Sequence, residues 1–282
     1  MDSFSVLLPD ISFGKKHLMD QCSLTIPKRA LTLLVGSNGS GKSTLLRTLA
    51  GLYKTRPNYL SSDFVPRISS AFDFHGFDSR MTVKDNIHNF ESYAGECLSI
   101  SSRWSYCEET LGLAMYMGSK VRTLSLGTRQ RLRLAMTLAV SADLYLFDEP
   151  FRALSSEFQK AFLIALDTLA IQQSSVVLSS HDLTLVSGMA HHAILLTGTE
   201  GASQVQQLTI GSTKTPLSIR IICVSPTTPD VGDFDISTLD SNKHTYLMEG
   251  YLTSPELLLA LTKLTSNEAS VLALTAVPSS EQ

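Results

Sequence analysis

Several things are scarce in this 282-residue chain, and each scarcity excludes something. There are four cysteines, Cys22, Cys97, Cys107 and Cys223, and no two form a CxxC pair. That spacing excludes a zinc ribbon or a disulfide framework and fits a reducing compartment. No apolar run approaches the ~18 residues that a membrane-spanning helix needs. The richest stretch, Leu132–Phe147, is broken by Arg133, Ser141 and Asp143. A basic excess is also missing: Lys and Arg number 23 against 26 Asp and Glu, a net charge of −3. Such a balance gives no general attraction for nucleic-acid phosphates. The first residues, Met-Asp-Ser-Phe-Ser, lack the basic segment of a secretion signal and the glycine of a myristoylation site, so a cytoplasmic protein is expected.

What is present is unusually apolar for a chain with no spanning run: 43% hydrophobic residues and a slightly positive mean hydropathy of +0.10. The charge is uneven. From Thr215 to Gln282 there are three basic residues (Arg220, Lys243, Lys263) and eight acidic ones. Apolar patterning divides the chain in the same place. Up to about residue 212, short strand-like runs alternate with helical periodicity, which indicates an α/β domain with a mainly parallel sheet. The strands are Phe4–Leu8, Ser12–Phe13, Leu31–Val35, Leu144–Phe147 and Ser175–Ser179; the helices are Ser43–Leu52, Thr82–Tyr93, Ser125–Val140 and Ser155–Ala170. Thr82 with Asp85 three residues on reads as a variant capping box. Tyr53–Pro66 reads as loop. Beyond a linker at Gly211–Pro216, Ile219–Val224, Tyr246–Leu252, Ser254–Leu264 and Val271–Val277 read as strand, strand, helix, strand. The expected layout is a domain over 1–212 and a small acidic ββαβ module over 213–282.

The most specific motif is Gly36-Ser37-Asn38-Gly39-Ser40-Gly41-Lys42-Ser43, followed by Thr44. It fits G-x-x-x-x-G-K-[ST] and lies between a buried-strand pattern and a helix. A triphosphate needs several backbone N–H groups turned inward, at positions where a Cβ would obstruct them. The helix that opens at Lys42 adds its dipole. Lys42 is expected on the β- and γ-phosphates and the Ser43 hydroxyl on Mg²⁺.

Three further motifs follow in order: Leu124-Ser125-Leu126-Gly127-Thr128-Arg129-Gln130-Arg131, then Leu144-Tyr145-Leu146-Phe147-Asp148-Glu149-Pro150, then Leu178-Ser179-Ser180-His181-Asp182. In this order and spacing the chain, from about Phe4 to Leu195, resembles the nucleotide-binding subunit of ABC (ATP-binding cassette) transporters. The resemblance implies a P-loop ATPase fold with a mainly parallel core sheet, an antiparallel N-terminal β subdomain and a helical subdomain. It implies ATP and Mg²⁺ as ligands. Asp148 would then face the Mg²⁺ shell, and Glu149 would act on the attacking water. His181, at the end of a strand where α/β sheets place ligands, matches the switch histidine on the γ-phosphate. Phe13 matches the aromatic that stacks on adenine. Leu124, Ser125, Leu126, Gly127 and Thr128 stand for the family's LSGGQ, with Leu126 for a glycine and Thr128 for the glutamine. That segment is expected to bind the γ-phosphate of ATP held by the other subunit of a homodimer, or of a dimer with a related ATPase.

Two loops depart from the family. Asp73 stands where a Mg²⁺-facing glutamine is usual, with His75 the neighbouring alternative, and Ser155 ends the loop in place of an aspartate. Both changes bear on coupling more than on ATP binding. The expected function is the ATPase of a membrane transporter, peripheral on the inner face of the membrane through a separate multi-spanning permease docked near Phe72–Asn89. The acidic tail and its closing Val277-Pro278-Ser279-Ser280-Glu281 weakly resemble the C-terminal part of ABC-2-type exporter ATPases, and read equally as a generic regulatory or dimer-stabilising module. Two alternatives stand beside it: a soluble mechanical ABC ATPase acting on nucleic acid or ribosomes, which the charge balance disfavours, and a weakly hydrolysing regulatory subunit.

Overall fold

The computed structural model describes the chain apart from residues 1–2, 14–15, 54–56, 61–64, 73–75, 95–99, 172, 181–184, 187–188, 198–203, 210–216, 226, 232–233, 242–244, 253, 267–269 and 279–282. Strands β1 (Ser3–Leu8), β2 (Ile11–Phe13), β3 (Lys16–Met19), β4 (Cys22–Pro27) and β5 (Leu31–Gly36) come first. Helix α1 (Lys42–Leu49) is followed by β6 (Asn58–Tyr59) and β7 (Ile68–Ala71). Then come α2 (Val83–Ala94), α3 (Ile100–Thr110), α4 (Leu126–Ala139), β8 (Leu144–Asp148), α5 (Ser156–Leu166) and β9 (Ser175–Ser179). The chain continues through β10 (Ala190–Thr197), β11 (Gln204–Thr209), β12 (Leu217–Val224), β13 (Asp235–Asp240), β14 (Thr245–Leu252), α6 (Ser254–Ser266) and β15 (Ser270–Pro278).

These elements form two compact units. The first comprises Met1–Pro27, Leu31–Asp63 and Ser179–Gln282. In it β1 pairs antiparallel with both β4 and β6. Phe4, Val6 and Leu8 are buried on β1, and Leu24 and Ile26 on β4, the period-two pattern of a sheet with one covered face. All six residues of β5 are buried, as the unbroken apolar run predicts for a strand covered on both faces. It runs parallel to β10, which carries β11 as an antiparallel neighbour.

The same unit holds the C-terminal antiparallel sheet, in the order β13-β14-β12-β15. The expected ββαβ module is therefore corrected to βββαβ. The added β13, Asp-Ile-Ser-Thr-Leu-Asp, is polar and lies at the sheet edge, where only β14 pairs with it. An edge strand needs no continuous apolar face, and charge at its ends blunts further pairing. Helix α6 buries Leu257, Ala260, Leu261 and Leu264 and lies against β14, β15 and β5.

Two other boundaries differ from the pattern reading. Helix α1 stops at Leu49, three residues early, because Gly51 takes φ 69° and Gly51 N–H returns to the Thr48 carbonyl at 2.8 Å. That is a left-handed glycine stop, and it leaves Leu52 61% exposed. Within the stretch read as loop, β6 adds a two-residue rung to β1, and the Tyr59 hydroxyl donates to the Leu49 carbonyl at 2.7 Å. Two residues beside Pro57 carry no periodicity to detect.

The second unit comprises Lys28–Ala30 and Phe64–Leu178. Its strands lie in the order β9-β8-β7, with β7 and β8 parallel. Leu144, Tyr145, Leu146 and Phe147 of β8 are all buried, and Phe162 of α5 meets Phe147 edge-on at 5.4 Å. Helices α3, α4 and α5 pack on one another, and α4 also covers β7. Thr82 and Asp85 form the expected cap of α2. Asp85 N–H donates to Thr82 Oγ1 at 3.1 Å, and Thr82 Oγ1 donates to Asp85 Oδ2 at 2.6 Å.

Candidate nucleotide site and signature loop

The phosphate loop lies wholly in the first unit. Its strand, β5, ends at Gly36, and a Cβ there would fall 2.5 Å from Ser40 Oγ and 3.0 Å from the Leu196 carbonyl oxygen, so only glycine fits. Gly39 and Gly41 have φ 78° and 99°, left-handed values that turn the loop back over the helix start. Lys42 is 8% exposed; its Nζ donates to the Gly36 carbonyl at 2.7 Å and the Ser37 carbonyl at 3.1 Å. The ammonium is thus held across the loop it would share with an anion.

Helix α1 has no side-chain N-cap and no acidic residue in its first turn. A helix start without a side-chain cap is an arrangement suited to accepting a phosphate. Ser43 and Thr44 follow on the half-buried first turn. Phe13 closes β2, whose backbone pairs with Lys16 across the hairpin.

The second unit holds the carboxylates. Asp148 ends β8 and is half-buried. Glu149 follows at φ 49° and Ala153 at φ 62°, two non-glycine residues in the left-handed region within one turn. Such conformations cost of order 1–3 kcal/mol each and persist where the surroundings hold them. Here Arg152 N–H donates to the Glu149 carbonyl at 3.2 Å and Leu154 N–H to the Phe151 carbonyl at 3.2 Å. Ser155 is exposed, at the N-cap position of α5, and makes no side-chain cap.

The signature segment is built onto this turn. Ser125 caps α4, its Oγ accepting from Thr128 N–H at 3.1 Å. Leu124 is buried, whereas Ser125 and Leu126 are exposed. A Cβ on Gly127 would fall 2.6 Å from the Ala153 carbonyl oxygen, so the retained glycine is a packing requirement. Gln130 Nε2 donates to the Pro150 carbonyl at 2.9 Å, and its Oε1 accepts from Arg133 at 2.8 Å. Upstream, Val121 N–H donates to the Met81 carbonyl at 3.0 Å and Arg122 N–H to the Ser79 carbonyl at 2.9 Å. The segment before α4 is thereby tied to the start of α2.

Gln130 and Arg131 are quoted in the sequence motif without a role. The fold gives them separate partners: Gln130 meets the Pro150 carbonyl, and Arg131 the carbonyls of Leu111 and Gly112. Asp73, His75 and His181 lie outside the described residues.

The ABC transporter family model matches residues 19–152. Among curated relatives, the "Probable siderophore transport system ATP-binding protein YusV" of Bacillus subtilis is 30% identical over 70% of this chain and 78% of its own length. The "Iron(3+)-hydroxamate import ATP-binding protein FhuC" of the same organism is 30% identical over 70% of this chain and 79% of its own. A solved structure of the ATP-binding subunit of an ABC transporter superposes with a TM-score of 0.62, covering 73% of this chain and 90% of that one at 16% identity. That likeness agrees with the expected α/β ATPase fold. The export type suggested by the tail is not confirmed by any of these. The uncapped glycine-rich helix start, the strand-end Asp148-Glu149 pair and the relatives together establish that the chain belongs to the ATP-binding, ATP-hydrolysing subunits of ABC transporters.

Proposed function

We propose that this chain powers transport through a separate multi-spanning permease, by closing and opening a dimer around MgATP. The observation that carries the reading is the loop at Gly36–Ser43, with its uncapped helix start and its lysine drawn across the glycine turn. Loop N–H groups and Lys42 bind the β- and γ-phosphates; Gly36, Ser37, Asn38, Gly39, Ser40, Gly41, Ser43 and Thr44 complete the loop, and Phe13 stacks on adenine. Ser43 and Asp148 are the residues that would hold Mg²⁺, with Asp73 as the loop contribution. When bound, the ion would supply positive charge against the phosphoryl oxygens. Glu149 orients the attacking water and takes its proton; His181 steadies the γ-phosphate. Leu124–Thr128 receives the γ-phosphate of the ATP on the partner subunit.

Residues 213–282 form an accessory module on this cassette. The described residues contain no helix long and apolar enough to cross a membrane, and peripheral attachment to the inner face of a membrane through the permease follows from the reading. Relatives named for import support uptake as the direction, while selection of the cargo belongs to the permease. The test is fractionation with and without a co-expressed multi-spanning permease. Membrane association and ATPase stimulation that both require the permease are expected. ATPase stimulation by RNA with no membrane association would support the soluble mechanical alternative instead.

A further inference from the structure

The family's glutamine is replaced here by Thr128, and its surroundings assign it a task. Arg131 lies one turn further along α4 and is 7% exposed. Its guanidinium donates through Nη1 to the carbonyls of Leu111 at 2.8 Å and Gly112 at 3.2 Å. It lies 3.8 Å over the Phe158 ring and 5.5 Å from the Tyr116 ring centre. Gly112 has φ 60°, and a Cβ there would come within 3.1 Å of Arg131 Nη1, so the loop fits closely round the guanidinium. The remaining fork, Nη2, reaches Thr128 Oγ1 at 3.1 Å. Thr128 Oγ1 in turn lies 2.9 Å from Ser125 Oγ.

Hydrogen-bond direction along this chain is fixed by chemistry. A guanidinium only donates, so Thr128 Oγ1 accepts from Arg131. Thr128 is 4% exposed, and a buried hydroxyl proton with no acceptor costs the full desolvation penalty. Its one acceptor on this path is Ser125 Oγ, so Thr128 donates there. Ser125 Oγ also accepts the Thr128 N–H at 3.1 Å. Both lone pairs of Ser125 are then occupied, and its own proton is left to donate outward from an exposed residue.

We propose that Thr128 is a positioning residue: held by Arg131, it orients the Ser125 hydroxyl as a fixed donor toward the γ-phosphate presented by a partner subunit. The inference rests on the signature reading above and adds the relay Arg131–Thr128–Ser125. A hydroxyl free to rotate would spend part of its time as an acceptor facing an anion, which repels it. The relay removes that state before ATP arrives.

The test uses the full chain carrying Glu149→Gln, with MgATP, and measures the dimer dissociation constant by sedimentation. Ser125→Ala and Thr128→Val are each expected to weaken the dimer about tenfold or more, the effect of one donor to a charged group. The double variant should be no weaker than Ser125→Ala alone, and Thr128→Ser should recover most of the loss. Affinity of the monomer for MgATP, read by equilibrium dialysis, should stay unchanged in Thr128→Val. If Ser125→Ala weakens the dimer and Thr128→Val does not, or if Thr128→Ser recovers nothing, the relay is overturned and the signature reading stands. If Ser125→Ala has no effect, both fall. Should Thr128→Val fail to fold, Thr128→Ala takes its place with the same outcomes.

Discussion

At the residue scale, the site depends on a few positions where the backbone leaves no choice. Gly127 is one: the Ala153 carbonyl oxygen occupies the space of its missing Cβ. Gly127→Ala is expected to push α4 off the Asp148–Leu154 turn, lowering stability by about 1–3 kcal/mol; the measurement is urea unfolding. ATP turnover should fall with it. Lys42→Ala removes the ammonium that lies across the phosphate loop, and turnover should drop to background in a phosphate-release assay. Retained turnover would remove Lys42 from the mechanism. These residues were legible because each belongs to a dense motif of fixed spacing. Arg131 was not, since a lone arginine on a helix reads as surface, and only the fold brings Phe158 and Gly112 around it.

At the element scale, helix starts do most of the positioning. α1 begins without a cap, α4 with a serine cap, and α2 with the reciprocal Thr82–Asp85 cap. The Asp85 carboxyl lies below the usual carboxylate range, chiefly because the Thr82 hydroxyl and then the Thr82 N–H donate to it. A depressed folded-state value means the ionised cap stabilises the fold above the unfolded carboxylate range and is lost as pH falls through the lowered one. Thr82→Ala should cost about 1 kcal/mol at neutral pH. The difference between variant and parent should shrink under acid, as followed by thermal melts. A constant difference from neutral to acid pH would contradict the cap's role.

Most helices and buried strands could be read in advance from apolar period, as with β5 and β8. Short or polar strands could not: β6 has two residues, and β13 is an edge strand whose pairing partner, not its own sequence, makes it a strand. Helix α3 also went unread, because its sequence, Ile-Ser-Ser-Arg-Trp-Ser-Tyr-Cys-Glu-Glu-Thr, buries only Trp104 and Cys107 among its described side chains.

At the scale of the whole molecule, the apolar composition has a visible destination. The strands β5, β8 and β9 are mostly apolar and buried at every position but Asp148, and they take up part of the hydrophobic content of a chain without a spanning run. The C-terminal module takes part in this covering, because α6 lies against β5. A chain ending at residue 212 should therefore melt lower and aggregate, read by light scattering on heating; an unchanged melt would show the module to be dispensable for the cassette. The central claim is that two copies close on MgATP, each supplying the phosphate loop for one nucleotide and the Ser125 loop for the other. Its most direct measurement is sedimentation of the Glu149→Gln chain with and without MgATP. The account predicts a shift from a species of 30.8 kDa to one of twice that mass, carrying two ATP. A species that stays at 30.8 kDa with saturating MgATP bound would contradict it.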